Sequence, residues 1–343
     1  MTATLTGTAP APAATSPRLS RWVLRLHRPA LYGWAGLVLV LAALLLALRG
    51  PLADAAAEAW RQYNACAGER CHYDQAAILR YKDYYSYATL ALNALPLLVA
   101  AWAGAALTGR ELESGTALLS WTQGASPARW LAVRLAVPAL AVTAGTTLLF
   151  WLHHLAWNAG HGRIDTAKPW SDRWTFHAGG PSIVALTLAG LAAGALAGLL
   201  LRRTLPALLV GTVVAAGVRG LAEIALPHLW PAVTRVSTMD QGFAGSGLTV
   251  DQGMITRTGA HVSVPQCGSV EACRNAYAGF TGHWNTYHPF SHYWPLQLTT
   301  GALVLAVAGL LVLGCFLALR RLTGPATAQA TTAGRTATGG VTA

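Results

Sequence analysis

Long runs of Leu, Ala and Val separated by short polar stretches are the main pattern along the chain. A helix needs roughly 20 mainly apolar residues to cross a hydrocarbon core about 30 Å thick. Within lipid only helices and closed barrels satisfy every backbone polar group, and these runs lack the apolar/polar alternation of barrel strands. The pattern therefore predicts an all-α, polytopic membrane protein with six transmembrane helices. The predicted spans are residues 31–48, 86–108, 135–157, 181–201, 205–226 and 296–319.

The amino-acid composition agrees with a location in the bilayer. Hydrophobic residues make up 54% of the chain and charged residues only 11%, whereas an ordinary soluble domain has roughly 25% charged residues. The first apolar run could instead belong to a cleaved signal peptide, because arginines precede it and Ala53-Asp54-Ala55 resembles a cleavage site. The run of 18 residues exceeds the roughly 7 to 15 apolar residues of a signal peptide. We therefore interpret it as a retained span.

Basic residues close to the span ends predict the orientation of the chain. Cytoplasmic loops carry an excess of Lys and Arg next to the spans, and such arginines fall on one side of the predicted spans. That side holds both termini and residues 109–134, which are therefore predicted to be cytoplasmic in the cell membrane. Residues 49–85, 158–180 and 227–295 are then outside. The arginines that give this orientation are Arg18, Arg21, Arg25, Arg28, Arg110, Arg129, Arg134, Arg202, Arg203, Arg320 and Arg321.

Both ends of the chain are rich in Ala, Thr, Pro and Gly and have almost no large apolar residues. Segments of this composition cannot bury enough apolar surface to fold, so they are expected to be disordered. The predicted organisation is a disordered cytoplasmic tail with a basic segment over residues 1–30, a six-span membrane domain over 31–322, and a disordered cytoplasmic tail over 323–343.

Four cysteines lie in the predicted outer loops, Cys66 and Cys71 in the first and Cys267 and Cys273 in the last. Paired cysteines on the outer side suggest an oxidising compartment. The short separations favour a disulfide within each pair. Free thiols, or disulfides that cross between the two loops, are the alternatives. The fifth cysteine, Cys315, lies in the sixth predicted span.

Several kinds of enzyme chemistry lack their sequence motifs. The two lysines, Lys82 and Lys168, do not follow a glycine, so the chain has no GxxxxGK[ST] loop and cannot bind ATP in that way. Neither HExxH nor GxSxG occurs, which argues against metalloprotease and serine hydrolase chemistry. The net charge of +11 is accounted for by membrane orientation and gives little support to nucleic-acid binding. No cofactor is expected in this chain.

Histidines remain candidates for chemistry, because ten of the eleven lie on or near the predicted outer face. His283, His288 and His292 precede the sixth span, and the last two could share one helix face. No carboxylate or cysteine lies at a defined ligand spacing, so the sequence predicts no metal site. A membrane-bound enzyme that uses these histidines, or a sensor whose cysteine-bearing outer loops bind a ligand, is the alternative to a transport function.

Two further features lie within the predicted spans. Arg219 and Glu223 in the fifth span are four residues apart, so they share a helix face. Ionisable residues inside a span are costly and often functional, although a structural ion pair would have the same spacing. In the fourth span, Gly190, Gly194 and Gly198 recur every four residues and allow a second helix to approach closely. The sequence leaves open whether that helix belongs to this chain or to a second subunit.

A charged segment between the second and third spans reads GRELESGTALLSWTQGASPARWL. It is longer than a simple turn requires, and it presents carboxylates, a short amphipathic run and a tryptophan. The segment resembles the corresponding part of bacterial ABC export permeases of the second type (ABC-2-like), in which GRExExGT precedes an apolar run, a Thr-Gln pair and SxxRW. RLHRPAL and HPFSHYWPLQ, before the first and sixth spans, are weaker similarities. The matching residues are Gly109, Arg110, Glu111, Glu113, Gly115, Thr116, Thr122, Gln123, Ser126, Arg129 and Trp130.

The resemblance implies a six-span permease subunit of an ATP-driven exporter. Such a subunit forms a dimer with a second permease copy or homologue and contacts a separate ATPase subunit, which binds ATP and Mg²⁺. The outer loops 49–85 and 227–295 are longer than the short hairpins of minimal family members, so the resemblance does not extend to them. The residues that the resemblance assigns to coupling with the ATPase are Arg110, Glu111, Glu113, Gly115, Thr116, Ser126 and Arg129.

Overall fold

The computed structural model describes residues 28–68, 72–122, 126–165 and 167–324. Six helices in these ranges are long and apolar enough to cross a membrane, and each coincides with one predicted span. The multi-pass helical architecture is therefore confirmed, while the predicted tails lie almost entirely outside the described residues. From first to sixth, the spans are Arg28–Asn64, Gln75–Glu113, Pro127–Gly160, Ser182–Leu201, Thr204–His228 and Phe290–Thr323.

The individual elements divide these spans and the segments between them. The helices are α1 (Arg28–Arg49), α2 (Pro51–Asn64), α3 (Gln75–Trp102), α4 (Arg110–Glu113), α5 (Thr116–Thr122), α6 (Pro127–Gly160), α7 (Arg173–Ala178), α8 (Ser182–Leu201), α9 (Thr204–Ala225), α10 (Val270–Tyr277) and α11 (Tyr293–Thr323). The strands are β1 (Val233–Thr238), β2 (Leu248–Thr256), β3 (His261–Ser263) and β4 (Phe280–His288). A π-helix joins α3 to α4 over Ala103–Gly109.

The first two spans extend beyond their apolar runs into the predicted outer loop 49–85. α2 follows α1 directly, and its alanines, among them Ala53 and Ala56, are buried against the bundle. The opposite face carries charges, and Asp54 Oδ1 accepts a hydrogen bond from Arg163 Nη2 at 2.8 Å. Much of this loop therefore consists of α2 and the first part of α3, which extend the first two spans. The contact of Asp54 with Arg163 joins α2 to the segment after the third span.

The prediction of an all-α fold was wrong between the fifth and sixth spans, where residues 233–288 contain an antiparallel sheet with the strand order β1–β4–β2–β3. Threonine and valine favour strands and recur along β1 (VTRVST). Such short strands nevertheless give a weak signal beside the long apolar spans.

A disulfide joins Cys267 to Cys273, as their spacing predicts. Cys66 is also disulfide-bonded, but its predicted partner Cys71 lies outside the described residues.

The fourth span, α8, lies at the centre of the bundle. Of its most apolar stretch 78% is buried, against 22–50% in the other five spans. Its glycine face packs on the second span, because a Cβ atom added at Gly194 would collide with the carbonyl oxygen of Ala100, and one at Gly198 with Thr108 Oγ1. Thr108 Oγ1 also donates a hydrogen bond to the carbonyl oxygen of Ala195 at 3.1 Å. The small-residue stripe therefore packs against another helix of this chain.

Gly194→Ala is expected to lower the stability of the bundle, whereas Gly36→Ala is not. Overpacking a dense interior costs about 1–3 kcal/mol. A Cβ atom at Gly36 in α1 meets nothing within 4 Å, and alanine has the higher helix propensity there. Thermal unfolding of the purified protein in detergent measures the difference. Equal unfolding temperatures for the two variants would show that the contact between the second and fourth spans tolerates an extra methyl group.

Candidate functional site

The segment between the second and third spans is short and largely helical. α4 continues the second span without a break, and the chain turns at Ser114 and Gly115 before α5 begins. Gly115 has a φ of +72°, a left-handed conformation that glycine adopts without steric cost. Thr116 Oγ1 donates a hydrogen bond to the carbonyl oxygen of Glu111 at 3.3 Å. Gly115 and Thr116 therefore shape this turn. Residues 123–125 lie outside the described part of the chain.

Glu111 joins this segment to the third span through a buried ion pair with Arg134. Arg134 Nη1 donates to Glu111 Oε1, and the Arg134 side chain is fully buried while that of Glu111 is nearly so. The same Nη1 atom donates to the carbonyl oxygen of Leu107 at 3.2 Å. The guanidinium also lies 4.7 Å from the centre of the Trp130 ring. A buried charge needs this kind of pairing, because an isolated one is strongly unfavourable in a nonpolar interior.

Glu113 joins the segment to the fifth span. Its Oε2 atom accepts hydrogen bonds from the backbone N–H of Thr204, at 2.9 Å, and from the Thr204 hydroxyl. Thr204 is the first residue of α9, whose own N-cap side chain makes no capping hydrogen bond. The first N–H groups of a helix lack partners within the helix, and a negative charge there is favourable. Glu113 on α4 therefore supplies the hydrogen-bond acceptor that the N-cap residue of α9 does not provide.

Glu113 is exposed, and the segment also exposes side chains of a different chemistry. Leu118 and Leu119 on α5 are 60% and 62% exposed, and Arg110 and Arg129 on either side of them are exposed as well. We call these four residues the segment surface. Ser126 instead caps α6, since its Oγ atom accepts a hydrogen bond from the N–H of Arg129 at 3.3 Å. Two neighbouring apolar side chains flanked by cations form a surface suited to a protein partner.

A second polar site lies inside the bundle around Arg219 of the fifth span. Arg219 Nε donates to Glu223 Oε1 at 2.8 Å, so the pair predicted from the sequence spacing is formed. Arg219 Nη1 donates to Asn93 Oδ1 of the second span at 2.6 Å. The guanidinium lies 5.5 Å from the centre of the Trp174 ring on α7. Three elements thus meet at one arginine.

Hydrogen bonds continue from Asn93 across the second span. Asn93 Nδ2 donates to the carbonyl oxygens of Thr89, at 2.7 Å, and of Trp174, at 3.0 Å. Thr89 Oγ1 lies 2.9 Å from His153 Nε2 of the third span. The second, third and fifth spans and α7 are therefore connected by one chain of polar contacts. Sequence spacing could not indicate Asn93, Thr89 or Trp174, because the contacts come from the packing of separate helices.

His177 at the end of α7 is neutral in this setting. Burial holds the pKa of its imidazole well below the usual range, and the positive charge of Arg219 lowers it further. Its Nδ1 atom lies 3.3 Å from Ser182 Oγ at the start of the fourth span. The positive charge of the polar site therefore resides on Arg219, and Glu223 balances it.

The histidines before the sixth span form a hydrogen-bonded pair. His288 Nδ1 and His292 Nδ1 lie 3.2 Å apart, and His288 Nε2 lies 3.0 Å from the carbonyl oxygen of Pro227. A carbonyl oxygen only accepts, so His288 Nε2 carries the proton and His288 Nδ1 accepts from His292. Burial lowers the pKa of His288, which favours this neutral form. Within the described ranges, no group of three His, Cys, Asp or Glu side chains is arranged to hold a metal ion.

Six apolar spans with a buried polar site and a structured connection between the second and third define a multi-pass helical membrane protein. The model of a protein family described as "ABC-2 membrane transporter related" matches residues 35–226. The match covers more than half of the chain and extends from the first span into the fifth, and the chain belongs to this family of transporter membrane components. The predicted relationship to ABC-2-like permeases is thereby confirmed. No curated protein and no solved structure matches the chain.

Glu111→Gln is expected to destabilise the protein by about 3–5 kcal/mol, because it leaves the buried Arg134 guanidinium without its counter-ion. Thermal unfolding in detergent measures this loss. Replacing both partners, in Glu111→Leu with Arg134→Met, should cost less than the single change, since no unpaired charge remains. Glu58→Gln is the matched control, because Glu58 pairs with Arg61 on the exposed surface, where an ion pair contributes about 0–1 kcal/mol. A double variant no more stable than Glu111→Gln contradicts this account.

Proposed function

We propose that this chain is the permease subunit of an ATP-driven exporter in the cell membrane. In this proposal it works as a dimer with a second permease copy or homologue, and a separate ATPase subunit binds ATP and Mg²⁺ and supplies the energy. Membership of the ABC-2 membrane transporter related family supports a permease. The sequence lacks a GxxxxGK[ST] loop, so a partner would have to bind the nucleotide in that way.

The proposed contact with the ATPase is the segment surface, formed by Arg110, Leu118, Leu119 and Arg129. The excess of basic residues near the span ends favours a cytoplasmic location for it, where an ATPase would be. The exposure of the two adjacent leucines is the observation that carries the proposal. An apolar pair flanked by two cations would complement a partner groove that is apolar at its centre and acidic at its rim.

The contacts of Glu111 and Glu113 give the segment a means to transmit movement. Glu111 holds it to the third span through Arg134, and Glu113 holds it to the start of the fifth span through Thr204. A displacement of α5 by the partner would therefore act on both spans. The fifth span also carries Arg219, so movement at Thr204 would reach the polar site through one helix. In this mechanism the carboxylates are internal links, and the leucines make the external contact.

Leu118→Asp combined with Leu119→Asp is expected to weaken ATPase binding at least about tenfold, because interface residues at the centre of an apolar contact dominate affinity. Co-purification with the candidate ATPase and its permease-stimulated ATP hydrolysis measure the effect. Val270→Asp is the control, since Val270 is an exposed apolar residue far along the chain on α10. Undiminished binding in the double variant would exclude the segment surface as the contact.

Glu113→Gln separates transmission from docking in the same assay. This change keeps both leucines and weakens only the charge-assisted bonds to Thr204. Binding of the ATPase should remain close to normal while stimulated hydrolysis and transport fall. If Glu113→Gln abolishes binding instead, the carboxylate itself belongs to the docking contact.

The proposed orientation predicts which side of the membrane an impermeant maleimide reaches. A cysteine introduced as Ser114→Cys should react only after the cells are opened, whereas Thr258→Cys between the fifth and sixth spans should react in intact cells. Both positions are exposed on the protein, so a difference in labelling reports the side of the membrane. Strong labelling of Ser114→Cys in intact cells would reverse the orientation and remove the segment from the ATPase.

A further inference from the structure

A cleft of about 250 Å³ opens between the first half of α3 and the chain around α7. Its wall from α3 includes Ser86 and Leu90, and its opposite wall includes Lys168, Asp172 and Trp174. Pockets for drug-sized ligands measure roughly 300–1,000 Å³. This cleft is smaller, so it fits a compact polar group and the first part of an attached apolar chain. It lies beside the site of Arg219 but is separated from it by Trp174.

The lining of the cleft includes two opposite charges, and no ion pair joins them within the described residues. Lys168 is exposed, and its ammonium forms no ion pair with another residue of the described ranges. Asp172 Oδ1 caps α7 by accepting from the N–H of Thr175, at 3.0 Å, and from its hydroxyl, at 3.2 Å. Both bonds go to Oδ1, and Asp172 also lines the cleft. The cleft therefore offers one cation and one anion to a ligand.

The lining of the cleft also includes exposed apolar side chains. Leu90 and Trp174 are 56% and 53% exposed, and Leu90 lies one helical turn beyond Ser86 on the second span. One turn corresponds to about 5.4 Å along the helix axis. The apolar run predicted for this span begins at residue 86, so these side chains lie near the end of the span, where lipid headgroups would meet hydrocarbon. Tryptophan is typical of that interface.

We propose that this cleft binds the headgroup of a zwitterionic phospholipid. The lipid phosphate lies at Lys168, the lipid ammonium lies at Asp172, and the acyl chains of the lipid leave the cleft along Leu90 and Trp174. A purely anionic headgroup would meet the Asp172 carboxylate, and an uncharged one would leave both charges unpaired. The two separated charges therefore select a ligand that carries both signs. This site is independent of the proposed ATPase contact, since none of its residues belongs to the segment surface.

Native mass spectrometry of the full-length chain, purified without an ATPase, tests the proposal. The protein is titrated with phosphatidylethanolamine, phosphatidylglycerol and diacylglycerol that carry the same acyl chains. Phosphatidylethanolamine should bind about twofold to fivefold more tightly than the other two, the range expected for partly exposed charge pairs. Free phosphoethanolamine at the same concentration should not compete, because it lacks the chain that contacts Leu90 and Trp174. Equal binding of the three lipids would overturn the proposal.

Charge variants show whether the preference arises in this cleft. Asp172→Asn keeps an oxygen that can cap α7 but removes the negative charge, so it should shift the preference to phosphatidylglycerol. Lys168→Gln should reduce phosphatidylethanolamine binding by a similar factor. Arg173→Gln is the matched control, because Arg173 is exposed beside the cleft but does not line it. Unchanged selectivity in both cleft variants, or an equal change in the control, would place the lipid elsewhere.

Discussion

The close backbone contact between the second and fourth spans is the constraint on which the other contacts depend. Apolar helices gain no hydrophobic driving force from each other in lipid, so tight packing of small residues has to hold them together. Gly194 and Gly198 allow α8 to lie directly on the backbone of the second span. This contact fixes the path of the second span and therefore the place where α4 leaves the bundle. Glu111 can reach Arg134, and Glu113 can reach Thr204, only when α4 leaves the bundle at that place.

Several charged side chains of the described residues join elements that are distant in sequence. Glu111 reaches Arg134, Glu113 reaches Thr204, and Arg219 reaches Asn93. The buried pair of Glu111 and Arg134 is specific, because a misplaced helix would leave a buried charge without its partner. The carboxylates that stand out in the charged segment thus serve the internal geometry. The exposed side chains of that segment include the leucines Leu118 and Leu119 and the arginines Arg110 and Arg129.

The number and type of the spans could be predicted, because a bilayer requires long apolar runs whatever their neighbours are. The pairing of Arg219 with Glu223 could also be predicted, since it depends only on helical spacing. The contacts of Glu111 with Arg134 and of Arg219 with Asn93 could not, because they join residues 23 and 126 positions apart through helix packing. The sheet was missed because its short strands have no periodic signal comparable to that of a span.

The π-helix over Ala103–Gly109 makes the length of the second span as important as its composition. A π-turn contains one residue more than an α-turn, and each residue turns an α-helix by about 100°. Everything after the π-helix therefore faces a direction that an uninterrupted α-helix of the same sequence would not give. Removing a single residue here would preserve hydropathy and the number of spans, yet it would rotate Glu111 away from Arg134 and Glu113 away from Thr204. The loss of one residue can therefore abolish function only by changing the direction in which the following side chains face around the helix axis.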